Sequence, residues 1–544
     1  MPTRSALALL LCLAPLPQAL QAPDAVIPDY VRAAADRIGA ERIARDLAFL
    51  ASDELEGRAT PSPGFDAAAE YIADRLQRTG LKPGGDNGTF FQHYTMREMA
   101  LDPAASTLEV AGTQFAFGKD FVLRTFAPAP RGTFKAVYVG HGWTVPARGI
   151  DPYAGLDVRG KVVIAHGPRA LPKGVEIAQV GRITPGAASV IDEAGQRGAV
   201  AVIYLPQAGA TDNWERMAGQ NVRRRELEPG VPSAYAAPTV TSALLSRKAA
   251  AALLAGEAQG RDLIAKGDAQ EYPASFELAQ PITLNLATST DVTHRPHNVV
   301  AILEGADPVL KAEYITVFSH LDGAVGSREV DGDAIYNSAD DNASGSAATL
   351  SIAGHMAAAR PKRSIIFVWD SGEEVGLWGT RHFVANPPVP LDRIVAHFNI
   401  DMIGANRAPG TPDTSDDRVT GPNEVFVIGP GALSARADAL LIRVNDEYLK
   451  LTLNRADDRG DSSFFYPRTD AGPFLERGIL TIGFTTGIHE RYHLPADEAR
   501  ALDPEKITAI ARTVFVSIWA LADAAERPGI DKPIPTNVPR YGGR

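Results

Sequence analysis

The chain has 544 residues, 45% hydrophobic and 22% charged, with a formal charge of −11 at pH 7 and a pI of about 5.6. Such a length exceeds what one hydrophobic core usually serves, so two or more domains are expected. The acidic balance and the lack of a long basic run argue against a nucleic-acid partner and read as solubility.

Arg4, an apolar stretch from Ala6 to Leu13, and small residues and prolines up to about Ala22 read as a secretory signal over 1–22. Pro15 and Pro17 break any long N-terminal helix there. The single cysteine, Cys12, lies inside this signal, and bulky Leu11 before it argues against lipoprotein-type cleavage. The mature chain is thus expected to be exported to the periplasm or beyond, without disulfides or thiol chemistry. No later segment offers ~18 uninterrupted apolar residues, so no membrane insertion of the mature chain is expected.

Residues 41–51 and 65–79 show helical spacing, separated by the Gly- and Pro-marked loop "LEGRATPSPG". They belong to the first part of a main domain, 23–120. The texture then changes to short strands and turns: "AVYVGHGW", "GKVVIAHG" and "AVAVIYL", with a helix at "AASVIDEAGQRGA". This stretch has few metal-ligating candidates and reads as an inserted β-rich domain over 121–285. From 286 to 525 strands and helices alternate. "NVVAILEG", "YITVFSHLD", "RSIIFVWD", "IVAHFNIDM", "EVFVIG" and "GILTIGF" are strands, and helices include "SGSAATLSIAGHMAAAR", 433–450 and about 504–524. Nearly continuous apolar strands between helices predict an α/β fold, a mostly parallel (mixed) sheet sandwiched by helices. Residues 526–544 are rich in Pro and Gly and read as a tail or surface strap.

Ligands of such sheets sit beyond the carboxyl ends of the strands. Five side chains with metal-ligating chemistry fall in order at such ends: His320, Asp340, Glu374, Asp401 and His493. Two imidazoles and three carboxylates suit borderline divalent ions such as zinc. Five are too many for one four-coordinate ion but suit two ions sharing a carboxylate, a hydrolytic arrangement. Asp322, two residues after His320, can accept the second imidazole N–H. "ADDNASG" precedes a helix, so some of Asp341, Asn342 and Ser344 are expected to cap it; a calcium loop around Gly332 fits poorly, lacking the Glu at its twelfth position. In "SGEEVG" the adjacent Glu373 and Glu374 point in different directions, so one can bind metal while the other faces substrate.

Together these motifs resemble the co-catalytic di-zinc peptidase family of bacterial leucyl-type aminopeptidases and glutamate carboxypeptidase. "LASDELEGR", "GFDAAAEYIADRL" and "GLKPGGDNGTFFQ" look like the amino-terminal part of its bacterial members, and the insert resembles a protease-associated domain. The resemblance implies that Asp340 is the bridging carboxylate, joined by His320 and Asp401 at one metal and by Glu374 and His493 at the other. It further implies Glu373 as general base, Asp322 orienting His320, a cis Asp340–Asp341 peptide, and Tyr492 stabilising an oxyanion, although packing explains an aromatic there equally well. One departure stands out: relatives commonly carry Ser-Asp-His where this chain has Thr469, Asp470 and Ala471. The implied function is an exported zinc-dependent exopeptidase acting on peptides, foremost an aminopeptidase. A carboxypeptidase for acidic C-termini is the main alternative and would need arginines such as Arg459 or Arg491 at the substrate. A glutaminyl cyclase fits less well because of the insert, and a non-catalytic binding protein would be expected to have lost ligands.

Overall fold

The computed structural model describes residues 27–535 apart from 128–129, 168–169, 176–186, 208–213, 219–221, 228–239, 259, 261, 324–325, 327, 409, 411–418 and 463–467. The expected signal at 1–22 and the end of the tail, 536–544, lie outside the described residues.

The main domain is built on a nine-stranded sheet. Its strands are β1 (Lys82–Pro83), β2 (Phe91–His93), β3 (His297–Leu303), β4 (Tyr314–His320), β5 (Ser364–Asp370), β6 (Ile394–Ile400), β7 (Glu424–Ile428), β8 (Thr452–Asn454) and β9 (Leu480–Thr485). They lie in the order β1-β3-β5-β4-β6-β9-β7-β8, with β2 also on β3. The four central strands, β5, β4, β6 and β9, run parallel. Successive side chains on a strand face opposite ways. Accordingly Ile365, Phe367 and Trp369 enter the larger core with the helices Gly345–Met356 and Pro504–Asp523, while Ile366 and Val368 pack with Phe318, Phe383 and Phe474 on the other face. Both faces are dry, as the apolar strand runs predict.

The second unit does not begin and end where expected. Strand Met96–Leu101 pairs with Arg223–Leu227 and Thr288–His294, and Thr107–Val110 pairs with Ile282–Asn285. The insert therefore runs from about 96 to 294, not 121 to 285: alternation in a sequence reveals a strand but not the strand it will pair with. Its largest sheet has six strands, of which Ala136–Tyr138, Val162–His166, Ala201–Leu205 and Thr241–Leu245 run parallel. Beyond the last long helix, the described residues up to 535 reach back to the helix Ala435–Glu447. Asp531 caps the helix Ala435–Glu447 by accepting the amides of Ala435 (2.7 Å) and Arg436 (3.2 Å). Among the described residues no helix is long and apolar enough to cross a membrane.

Candidate active site

The carboxyl ends of the parallel strands bring the site together. His320 closes β4, Asp401 follows β6, the Glu373–Glu374 turn follows β5, and His493 lies in the loop after β9. His320 is 1% exposed. Its Nδ1 lies 3.0 Å from the Asp322 carbonyl oxygen, so that nitrogen carries a hydrogen and Nε2 is the atom turned toward the carboxylates, where it could bind a metal. The Asp322 carboxylate, 3.8 Å away, is not the orienting acceptor; it accepts the Glu373 amide at 3.2 Å instead. Asp322 thus holds the imidazole through its backbone and the Glu373 turn through its side chain.

The shared carboxylate is Asp341, not Asp340. His320 Nε2 lies 3.2 Å from Asp341 Oδ1 and 3.2 Å from Asp401 Oδ1. His493 Nε2 lies 3.1 Å from Asp341 Oδ2 and 3.2 Å from Glu374 Oε2. The two trios, His320–Asp341–Asp401 and Asp341–Glu374–His493, each have ligand atoms within 4.8 Å of one another, and Asp341 serves both. Asp340 points the other way. One oxygen accepts the Gly404 amide at 2.7 Å and the other lies 3.3 Å from His489 Nε2. The reason lies in the turn before helix Gly345–Met356, where Asp497 accepts the amides of both Asp340 (3.0 Å) and Asp341 (3.2 Å). With both amides tied to one carboxylate, the two side chains diverge. The cis peptide is Asp341–Asn342, one position after the expected one. Asn342 supplies the cap, its Oδ1 accepting the Gly345 amide at 3.0 Å.

Glu373 sits beside these trios. Burial pushes its carboxyl well above the usual range, helped by Asp470 and Glu374 and opposed by His320. Close to it lie Asp470, of the loop that departs from the Ser-Asp-His pattern, and Asp370, which had no signal in the sequence; both are wholly buried. The Thr380 hydroxyl touches Asp370 Oδ2 (2.9 Å) and Asp470 Oδ1. One hydroxyl has one proton to give, so one of the two carboxyls must supply its own. Burial accordingly raises Asp370 well above the carboxylate range and Asp470 to about 6. The Tyr492 ring stacks on His493, centroids 3.7 Å apart, and its hydroxyl accepts Arg468 Nη2 at 3.3 Å. Burial pushes this phenol up, so it stays a hydrogen-bond donor. Ala471 is buried at the start of helix Ala471–Leu475. Arg459 and Arg491 pair with Asp461 (2.8 Å) and Glu490 (2.6 Å).

The residues present fit a pair of divalent cations. Asp341, Glu374 and Asp401 are carboxylates crowded behind low-dielectric walls, and Glu374 Oε1 is buried without a hydrogen-bond partner. Burial disfavours a charged His493, yet its bonds to Asp341 and Glu374 outweigh that and lift it to about 10. The site draws in positive charge, and two imidazoles with three carboxylates match zinc chemistry.

Residues 298–518 match Peptidase family M28. This part of the chain is a family M28 peptidase domain. The M28 match spans β3 to the last long helix and includes every residue of both trios. The chain is 26% identical over 449 residues to the "Aminopeptidase" of Pseudomonas aeruginosa, covering 81% of this chain and 69% of that protein. It is 32% identical over 130 residues to "Leupeptin-inactivating enzyme 1" of Streptomyces exfoliatus, 23% and 27% of the two chains. Among solved structures it resembles an aminopeptidase from Aneurinibacillus sp. strain AM-1, with TM-score 0.54 and 21% identity over 94% of this chain and 100% of that one. That likeness supports the fold, insert included.

Proposed function

We propose that this M28 peptidase is a zinc-dependent aminopeptidase, exported by its amino-terminal signal, that removes N-terminal residues from peptides. The observation carrying the reading is the placement of Asp341, whose two oxygens each face a separate His–carboxylate group, with Glu373 alongside. His320, Asp341 and Asp401 would hold one ion, and Asp341, Glu374 and His493 the other. Bound there, the ions would supply Lewis-acid polarisation of the scissile carbonyl and acidify a water. Glu373, its proton affinity raised by burial, takes the proton of the attacking water and hands it to the leaving amine. Asp322 holds Glu373 in place by accepting its amide, and Tyr492, whose ring stacks on His493 and whose phenol stays protonated, would donate to the developing oxyanion. The names of the P. aeruginosa and Aneurinibacillus proteins support the choice of the amino end.

The test compares one peptide with its N-acetylated and C-amidated forms. Acetylation should abolish cleavage and amidation should leave most of it, because an exopeptidase uses the terminal charge as its handle. The reverse result would assign a carboxypeptidase, and indifference to both an endopeptidase.

A further inference from the structure

The loop "LEGRATPSPG" carries an arginine that the proposed reaction does not use. Arg58 is 0% exposed, although it comes from the amino-terminal segment, more than 250 residues before the metal-ligating loops. Its guanidinium is spent on main-chain carbonyls. Nε donates to Leu321 O at 2.8 Å, Nη1 to Asn337 O at 2.9 Å and to Leu50 O, and Nη2 to Ser338 O at 2.9 Å. Leu321 lies between His320 and Asp322, while Asn337 and Ser338 lead directly into the Asp340–Asp341 turn. One planar fork therefore ties together two loops that deliver His320 and Asp341.

The backbone around it is shaped for this purpose. Glu56, Gly57 and Arg58 all have left-handed φ values of 47°, 74° and 59°. A Cβ on Gly57 would sit 2.1 Å from the Tyr336 carbonyl oxygen, and one on Gly323 would sit 2.3 Å from the Gly57 oxygen. The two segments therefore meet backbone to backbone at Gly57 and Gly323, where a Cβ would clash. Its charge faces the carboxylates of Asp322, Asp497, Asp341 and Glu374. Burial lowers its pKa only to about 10, so it remains a cation at neutral pH.

We infer that Arg58 is a positioning residue of the metal site: its fork locks the Leu321 and Asn337–Ser338 turns so that His320 and Asp341 converge, with its positive charge on the side of the carboxylates those loops carry. This rests on the metallopeptidase reading above. A lysine cannot substitute, because three donors on one point do not reach four carbonyls on separate loops.

The experiment uses the full chain and the variants Arg58→Lys and Arg58→Ala, checked for fold by circular dichroism, with zinc affinity measured by titration of the chelated protein. For Arg58→Lys, kcat should fall at least about tenfold with KM within about threefold, and zinc affinity should weaken by about 10–100-fold, the usual scale for losing a group that orients ligands. In Arg58→Ala, millimolar guanidinium chloride should restore part of both kcat and zinc affinity, and urea, its uncharged analogue, should not. Parental kcat and zinc affinity in Arg58→Lys would overturn the inference, as would deficits in Arg58→Ala that guanidinium leaves untouched or that urea restores equally. Failure of both variants to fold would also overturn it, assigning Arg58 to the scaffold alone. If the parent protein itself takes up no zinc, it is the metallopeptidase reading that fails, not the role of Arg58 alone.

Discussion

The sharpest perturbation separates two adjacent aspartates by one proton-sized change each. Asp341→Asn keeps the shape of the side chain but takes a charge from both trios at once, because Oδ1 faces His320 at 3.2 Å and Oδ2 faces His493 at 3.1 Å. An amide offers one acceptor and two donors, and those donors would point at an imidazole or a cation. Breaking a buried charged interaction by removing one partner costs about 3–5 kcal/mol. At 1.4 kcal/mol per tenfold, that is roughly a 10²- to 4 × 10³-fold weakening of metal binding. Asp340→Asn changes something else. Its oxygen can still accept the Gly404 amide, and only the contact with His489 loses charge. Metal content should stay near two ions per chain, with a stability loss of about 1–3 kcal/mol, the scale of a buried polar group left imperfectly paired. Elemental analysis after gel filtration, with turnover on the same samples, reads both variants. If Asp340→Asn lost its metal while Asp341→Asn kept it, the geometry of the turn described above would be wrong.

Glu373→Gln should lower turnover by about 10²–10⁴-fold with metal content unchanged, whereas Glu374→Gln should lose metal and activity together and recover part of both in excess zinc; a swap of these outcomes would exchange their roles. Chelation should abolish hydrolysis and lower the melting temperature, since a ligand at a thousandfold its Kd contributes about 4 kcal/mol to the folded state; full activity after thorough demetallation would refute the two-ion reading. His397 on β6 is wholly buried, stacked on Phe474 at 3.9 Å, and burial lowers its pKa to about 3. Its folded pKa lies below the unfolded one, so the unfolded chain takes up the proton first and stability is lost as pH falls below about 6.5. Between pH 7 and 4.5 that amounts to about 2–3 kcal/mol. Urea titrations of the parent against His397→Phe should show this part of the acid slope vanish in the variant, and an unchanged slope would rule out His397 as its source.

Much of the main domain was legible because its signals are local. "YITVFSHLD" and "RSIIFVWD" are apolar on both faces, which only a strand covered on both sides can tolerate, and the polar residue ending each run marks the edge where ligands collect. The insert was legible as a change of texture but not in its limits, since Met96–Leu101 finds its partners about 125 and 190 residues later, a distance that no local pattern reports.

The Asp340–Asp341 pair shows where such reading stops. Two identical side chains at neighbouring positions differ only in where the backbone aims them. That aim is set by Asp497, whose carboxylate gathers both amides, and by Asn342, which accepts the amides of Gly345 (3.0 Å) and Met402 (3.2 Å). The Asn342 cap was within reach of the sequence, but the part played by Asp497, more than 150 residues away, has no sequence signature of its own. The same holds for Arg58, since an arginine in a Gly- and Pro-rich loop is ordinarily a solvated surface residue. What makes it different is three successive left-handed residues and a glycine pressed against the Tyr336 carbonyl, which turn the loop inward. The metal-ligating chemistry of this chain is thus written in residue types at strand ends, while the choice of which carboxylate is shared is made by amide donors and a buried guanidinium that act on the backbone between those ends.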